Sequence, residues 1–224
     1  MKSKMICFMG LDGSGKSTSI EHAYQYLKET GYRVEIVRAA YVIKYMRPII
    51  HLGKKLLMKQ DSDPYAGDYK AYLEKMRKQS KKTGVYRIFS MLTTMEFKLQ
   101  IFFSITLKRL FGITLLVDRY VYDNVVTYAA NLGLGEVYIK DTMEHKWKHA
   151  PKPDMLIYIK TPVDICCSRK NDIPDPLYLE IREPLYDKVA DLYSATIIYG
   201  NQNMENMTRE VVEAVEDCVK ECKQ

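Results

Sequence analysis

The sequence predicts an α/β fold, a parallel sheet covered by helices on both faces, on three observations. Short, wholly apolar runs alternate with helix-like segments along the chain. Strands buried on both faces read this way, whereas a sheet with one wet face alternates polar and apolar residues. A glycine-rich loop, MGLDGSGKST at residues 9–18, joins the first apolar run to the first helix-like segment. The chain has 224 residues, 47% of them hydrophobic and 28% charged, which is enough to bury a large core as one domain over residues 1–224.

The elements follow in order. Residues 4–9 read as a buried strand, 17–30 as a helix stopped by Gly31, and 34–37 as a second short strand. Residues 41–110 form a large helical segment between strands 2 and 3, punctuated at Pro48, Gly53, Asp63-Pro64 and Gly84. Asp63 there is an N-cap ahead of proline at the first helical position. The β-branched run 113–117 is the third strand, and 121–130 and 137–149 are helical. Pro151 and Pro153 lead into a fourth strand at 155–159, and 196–199 is the fifth. No repeat or low-complexity stretch interrupts the pattern.

Composition narrows the function classes. The apolar run behind Lys2 and Lys4 is too short for a signal-peptide core. Glu96, Lys98, Lys108 and Arg109 break the greasiest region before it reaches the roughly 20 apolar residues of a spanning helix. A cytoplasmic protein with no membrane span is expected. Five cysteines without a CxxC pair, among them Cys166-Cys167 and Cys218 with Cys222, read as reduced side chains. His145 and His149 share a helical face but lack a third ligand, so they read as surface residues. The formal charge is +6, and basic residues exceed acidic ones between Lys44 and Arg87, with KK pairs at 54–55 and 81–82. Tyr65, Tyr69 and Tyr72 follow helical spacing there, so this stretch reads as a solvated helix face and no nucleic-acid partner is expected.

The glycine-rich loop carries the chemistry. Gly10, Gly15, Lys16 and Ser17 fit G-x-x-x-x-G-K-[ST] in the strand-to-helix context that the motif requires. Glycines let the backbone of Gly10, Leu11, Asp12, Gly13, Ser14 and Gly15 wrap a polyphosphate with its N–H groups, and the helix from Lys16, Ser17 and Thr18 offers its positive end. Lys16 is placed to reach the β and γ phosphates and Ser17 to hold Mg²⁺, so ATP and Mg²⁺ are the expected cofactors. ITLLVD ends in Asp118, a carboxylate at the carboxyl end of a buried strand, where ligands of open α/β sheets collect and a second Mg²⁺ contact is expected. No N-K-x-D element of a GTPase is present.

GLDGSGKST, then LLVDRYVYDNVVTYA, then PKPDMLIYIKTP followed by Ser168-Arg169-Lys170, resembles thymidylate kinase and its relatives among the P-loop nucleoside monophosphate kinases. The resemblance spans nearly the whole chain and is most specific at the loop and at Asp118-Arg119-Tyr120. It implies a three-layer α/β/α fold with five parallel strands, transfer of the γ-phosphate of ATP to a small-molecule nucleotide acceptor, dTMP, and a lid at about 168–182. It further implies that Arg119, with Tyr120, contacts the acceptor phosphate, that Asp12 helps hold the acceptor sugar, and that Arg169 closes over the transferring group. The 41–110 helices are the candidate surface of a homodimer.

The acceptor side departs from the family pattern. Where an Arg-Glu-Pro-Gly-Gly segment is expected, the chain has Arg38-Ala39-Ala40-Tyr41, and only Arg38 survives as an acceptor contact. Counting back without gaps from Gly112 puts Lys98 where the family has an arginine that packs on the base, and the lid continues as NDIPDPLYLE in place of further arginines. Two alternatives therefore stand beside dTMP phosphorylation: a kinase of the same fold for another nucleotide, nucleoside or small acceptor, and a nucleotide-binding switch without turnover.

Overall fold

The computed structural model describes residues 3–39, 68–80 and 83–220. Five parallel strands, β1 Met5–Met9, β2 Val34–Arg38, β3 Thr114–Asp118, β4 Met155–Lys160 and β5 Thr196–Tyr199, form one sheet in the order β2-β3-β1-β4-β5. The described helices are α1 Lys16–Glu29, α2 Tyr69–Ser80, α3 Thr83–Ile101, α4 Leu107–Leu110, α5 Val121–Leu132, α6 Glu136–Asp141, α7 Val163–Arg169, α8 Pro176–Glu180, α9 Glu183–Leu192 and α10 Met204–Lys220. A π turn at Phe102–Thr106 joins α3 to α4, and a second, Thr142–Lys146, follows α6.

Alternation along the strands makes the three layers. Met5, Cys7 and Met9 of β1, Leu115 and Val117 of β3 and Tyr158 of β4 point to one face, where they meet Phe97 and Ile101 of α3, Val125 and Ala129 of α5 and Val189 of α9. Ile6, Phe8, Leu116, Ile157 and Ile159 point to the other, against Ile20 and Leu27 of α1 and Val211 and Val215 of α10. All five residues of β1 are buried, as a central strand with helices on both sides requires.

The five expected strands are present, each within a residue or so of its expected start. Of the segment 41–110, the described part is helical from Tyr69 onward. The expected breaks at Pro48, Gly53 and Asp63-Pro64, the Lys44 end of the basic run and its KK pairs lie outside the described residues. Gly84 does not break a helix but sits in the first turn of α3. Among the described residues, no helix is long and apolar enough to cross a membrane.

Candidate active site

The register of the sheet brings the site together. Phe8 pairs with Asp118 and Asp118 with Arg38, so the loop after β1, the end of β3 and the end of β2 lie side by side at the carboxyl edge. The loop is held from behind as well, because Thr161 Oγ1, just past β4, donates to the Ser14 carbonyl at 3.0 Å. The glycines are dictated by space and dihedral. Gly10 has φ +144° and Gly13 φ +85°, and a Cβ on either would stand 2.5 Å from a backbone carbonyl oxygen, that of Ile159 or Cys166 respectively. No side chain fits there.

Lys16 opens α1 and is buried. Its ammonium donates to the carbonyls of Gly10 at 2.9 Å and Leu11 at 2.5 Å and to Ser14 Oγ at 3.3 Å. All three of its hydrogens are taken by the loop itself. Burial, helped by the neighbouring Arg119 guanidinium, pulls its pKa down to about 8, against the opposing pull of Asp12, Asp123 and Asp118. Ser17 and Thr18 follow on the exposed side of the first turn.

Arg119 has φ +61°, the left-handed region that costs a residue with a Cβ about 1–2 kcal/mol. That conformation turns the chain sharply from β3 into α5 and puts the guanidinium over the loop, where Nη2 pairs with Asp12 Oδ1. Nη1 lies 3.8 Å from Asp123 Oδ1. Asp123 is buried, accepts from the Tyr120 amide at 3.1 Å and from the Tyr186 hydroxyl at 2.8 Å, and burial pushes its pKa up against the pull of Arg119 and Lys16. The other oxygen of Asp12 accepts from the Tyr178 hydroxyl at 3.3 Å. Burial alone would raise Asp12, but Arg119, Lys16, Lys170 and the Tyr178 phenol together hold its carboxyl below the usual range.

Asp118 stands at the end of β3 with Oδ2 3.9 Å from Arg38 Nε and Oδ1 buried without a hydrogen-bond partner. A buried carboxylate oxygen left unpaired is costly, and a hydrated cation at the loop would satisfy it. Among the described residues, no cluster of three or more His, Cys, Asp or Glu could hold a metal on its own. A divalent ion here would therefore lean on Ser17, Asp118 and phosphate oxygens, the donor set suited to Mg²⁺. His145 and His149 form no such cluster.

Three expected site residues are placed differently from the loop group. Tyr120 is 1% exposed and its hydroxyl donates to the Pro151 carbonyl at 2.9 Å. Its expected contact with an acceptor phosphate is corrected, and its amide serves instead to fix Asp123. Lys98 lines a small cavity with Trp147, His149 and Pro151, none of them a loop residue. Arg169, in the last turn of α7, donates to the Gly200 carbonyl at 3.0 Å and so docks on the turn after β5.

The residue patterns did not single out Asp123, Asn124, Tyr178, Arg182 or Tyr186. Asn124 of α5 is buried and its Nδ2 has no partner. Arg182, between α8 and α9, is 4% exposed. Its Nη1 donates to the Tyr178 carbonyl at 2.7 Å and the Tyr69 hydroxyl at 2.9 Å, and its Nη2 to Asn131 at 3.0 Å.

No protein-family model matches the chain. A probable thymidylate kinase of Sulfurisphaera tokodaii is 27% identical over 223 residues, covering 97% of this chain and 98% of that protein. Along nearly its whole length the chain is thus similar to thymidylate kinases. A thymidylate kinase of Akkermansia muciniphila is 24% identical over 168 residues, 75% of this chain and 67% of that one. A third match, to a thymidylate kinase of Caldicellulosiruptor saccharolyticus, is confined to 38 residues at 58% identity, 17% of this chain and 18% of that protein. That similarity agrees with the all-parallel sheet and with a lysine and an arginine meeting over one glycine-rich loop.

Proposed function

We propose that the chain is an ATP-dependent nucleoside monophosphate kinase with dTMP as its acceptor. The observation that carries this reading is the convergence of Lys16, Asp12, Arg119 and Asp118 at the carboxyl ends of β1 and β3, with an arginine held rigidly beside a polyphosphate loop. Phosphoryl transfer asks the protein for positioning and charge more than for covalent chemistry. Lys16 exchanges its bonds to the loop carbonyls for the β and γ phosphates. Arg119 leaves Asp12 to grip the acceptor phosphate bidentately, while Asp123 and Tyr186 keep its stem in place. Asp12, once released, accepts from a sugar hydroxyl. Arg169 swings from Gly200 toward the transferring group. The orphaned Nδ2 of Asn124, one turn beyond Arg119, is a donor that a nucleobase carbonyl would satisfy. Bound Mg²⁺ would be held by Ser17 and, through water, by Asp118, and would neutralise charge developing on the phosphates.

Two further readings accompany it. Among the described residues, Cys7, Cys166 and Cys167 form no disulfide, which supports a reducing, cytoplasmic setting. Ile88, Met91, Met95, Leu99 and Phe102 are exposed at spacings of three and four along α3 and into its π turn, which supports a second copy of the chain as the partner of that face. Sedimentation equilibrium then shows a dimer that Met91→Lys dissociates, and a monomeric wild type contradicts it.

The test of the activity is a panel. Wild-type protein, ATP and Mg²⁺ are incubated with dTMP, dUMP, other nucleoside monophosphates and nucleosides, and ADP release is followed. Turnover is expected on dTMP. Inertness toward every nucleotide with ATP still binding overturns the kinase reading in favour of a switch or a kinase for a non-nucleotide acceptor.

A further inference from the structure

Asp12 is the hinge between the two halves of the site, since one of its oxygens holds Arg119 and the other takes the phenol of Tyr178. What fixes that phenol is Arg182. Its guanidinium lies 3.7 Å from the centre of the Tyr178 ring and donates to the carbonyl of the same residue. The ring is closed in from the side by Tyr69 of α2, 5.6 Å away and edge-on, whose hydroxyl accepts from the same guanidinium. Asn131, at the end of α5, takes another hydrogen. One arginine thus ties α2, α5 and α8 together around the tyrosine that reaches the glycine-rich loop.

The chemistry of the pairing is unusual for a structural arginine. A buried guanidinium ordinarily meets a carboxylate. Among the described residues, the contacts of Arg182 are to neutral oxygens and an aromatic face, and its Nε has no hydrogen-bond partner. A planar fork is needed to reach three elements at once while stacking on a ring, and an ammonium cannot do this.

We propose that Arg182 is a positioning residue for the transfer, holding Tyr178 against Asp12 and so setting where Arg119 stands when it is released to the acceptor. It touches no reactant. It acts through Tyr178 and Asp12, and the proposal rests on the kinase reading above. A shift of about 1 Å in a positioned group is enough to cost on the order of 100-fold in rate, so the effect falls on the acceptor side and leaves ATP alone.

The experiment is steady-state kinetics on wild type, Arg182→Lys, Tyr178→Phe and the double variant, with dTMP and ATP varied in turn and thermal melts run in parallel. Arg182→Lys lowers kcat/KM for dTMP by on the order of 100-fold and Tyr178→Phe by about tenfold, with KM for ATP within about twofold of wild type. The double variant is no worse than Arg182→Lys, because both changes cut the same link. Tyr178→Phe keeps the ring and loses one oxygen, so it carries the test if the lysine variant does not fold. Variants with wild-type kcat/KM for dTMP, losses that are simply additive, or an equal loss on the ATP side overturn the proposal while leaving the kinase reading in place. A wild-type protein that phosphorylates no nucleotide overturns both.

Discussion

On the kinase reading nucleotide binding turns on Lys16, and its environment makes a pH prediction. Its pKa is lowered from the ordinary lysine value of 10.5 to about 8, burial being the main cause. Between those two values the unfolded chain holds a proton that the folded chain has lost. Folding stability therefore rises with pH across that window, and the cost of burying the charge is fully present below it. ATP affinity moves the other way, because the polyphosphate needs the ammonium. Calorimetry from pH 7 to 10 should show the dissociation constant flat below about 8 and rising by up to roughly tenfold per pH unit above it, with Lys16→Ala binding weakly throughout. A constant that is flat to pH 10 would remove Lys16 from the phosphates. Asp118 gives a second prediction at this scale. On the kinase reading its unpartnered Oδ1 would act through a metal-bound water, so Asp118→Asn is expected to lower kcat by about 10–100-fold with little change in ATP affinity. Wild-type kcat at saturating Mg²⁺ would show it to be a strand-end residue only.

Among the elements, the glycine-rich loop is the most constrained. Gly13 packs against the backbone of α7 so closely that any side chain collides with the Cys166 carbonyl, and its φ of +85° is strained for alanine. Gly13→Ala should destabilise the fold by about 1–3 kcal/mol in urea unfolding and weaken ATP binding as well. Unchanged values for both would mean that the loop can relax away from α7. This loop was legible in the sequence because its motif is local: its residues are consecutive, and the motif states its own strand-to-helix context. The strands were legible because burial on both faces leaves unbroken apolar runs such as Met5–Met9. Tyr178, Arg182 and Asp123 were not legible. The partners of the first two, Asp12 and Tyr69, lie 113 or more residues away, and no periodicity records a contact that exists only once α8 folds over the loop; Asp123 stands four residues from Arg119 with no motif to mark it. Tyr120 shows the reverse: it is adjacent to Arg119, yet its hydroxyl points away, to the Pro151 carbonyl.

For the molecule as a whole, the sheet order places β1 in the centre, between β3 and β4, so that the loop after β1 and the turn after β3 open into one crevice at the carboxyl edge. In this state the crevice is closed on itself, Lys16 by the loop carbonyls and Arg119 by Asp12. On the kinase reading substrates replace those contacts, the Lys16 bonds to loop carbonyls and the Arg119–Asp12 ion pair, with contacts to phosphate. The claim that an acceptor phosphate takes the place of Asp12 on Arg119 is tested most directly by following ATP labelled in its γ-phosphate, with Mg²⁺ and dTMP, and separating the products. The account predicts label in dTDP, with Arg119→Ala transferring it on the order of 100-fold or more slowly at equal ATP occupancy. Label that appears only as inorganic phosphate, or transfer that Arg119→Ala leaves unchanged, would contradict it.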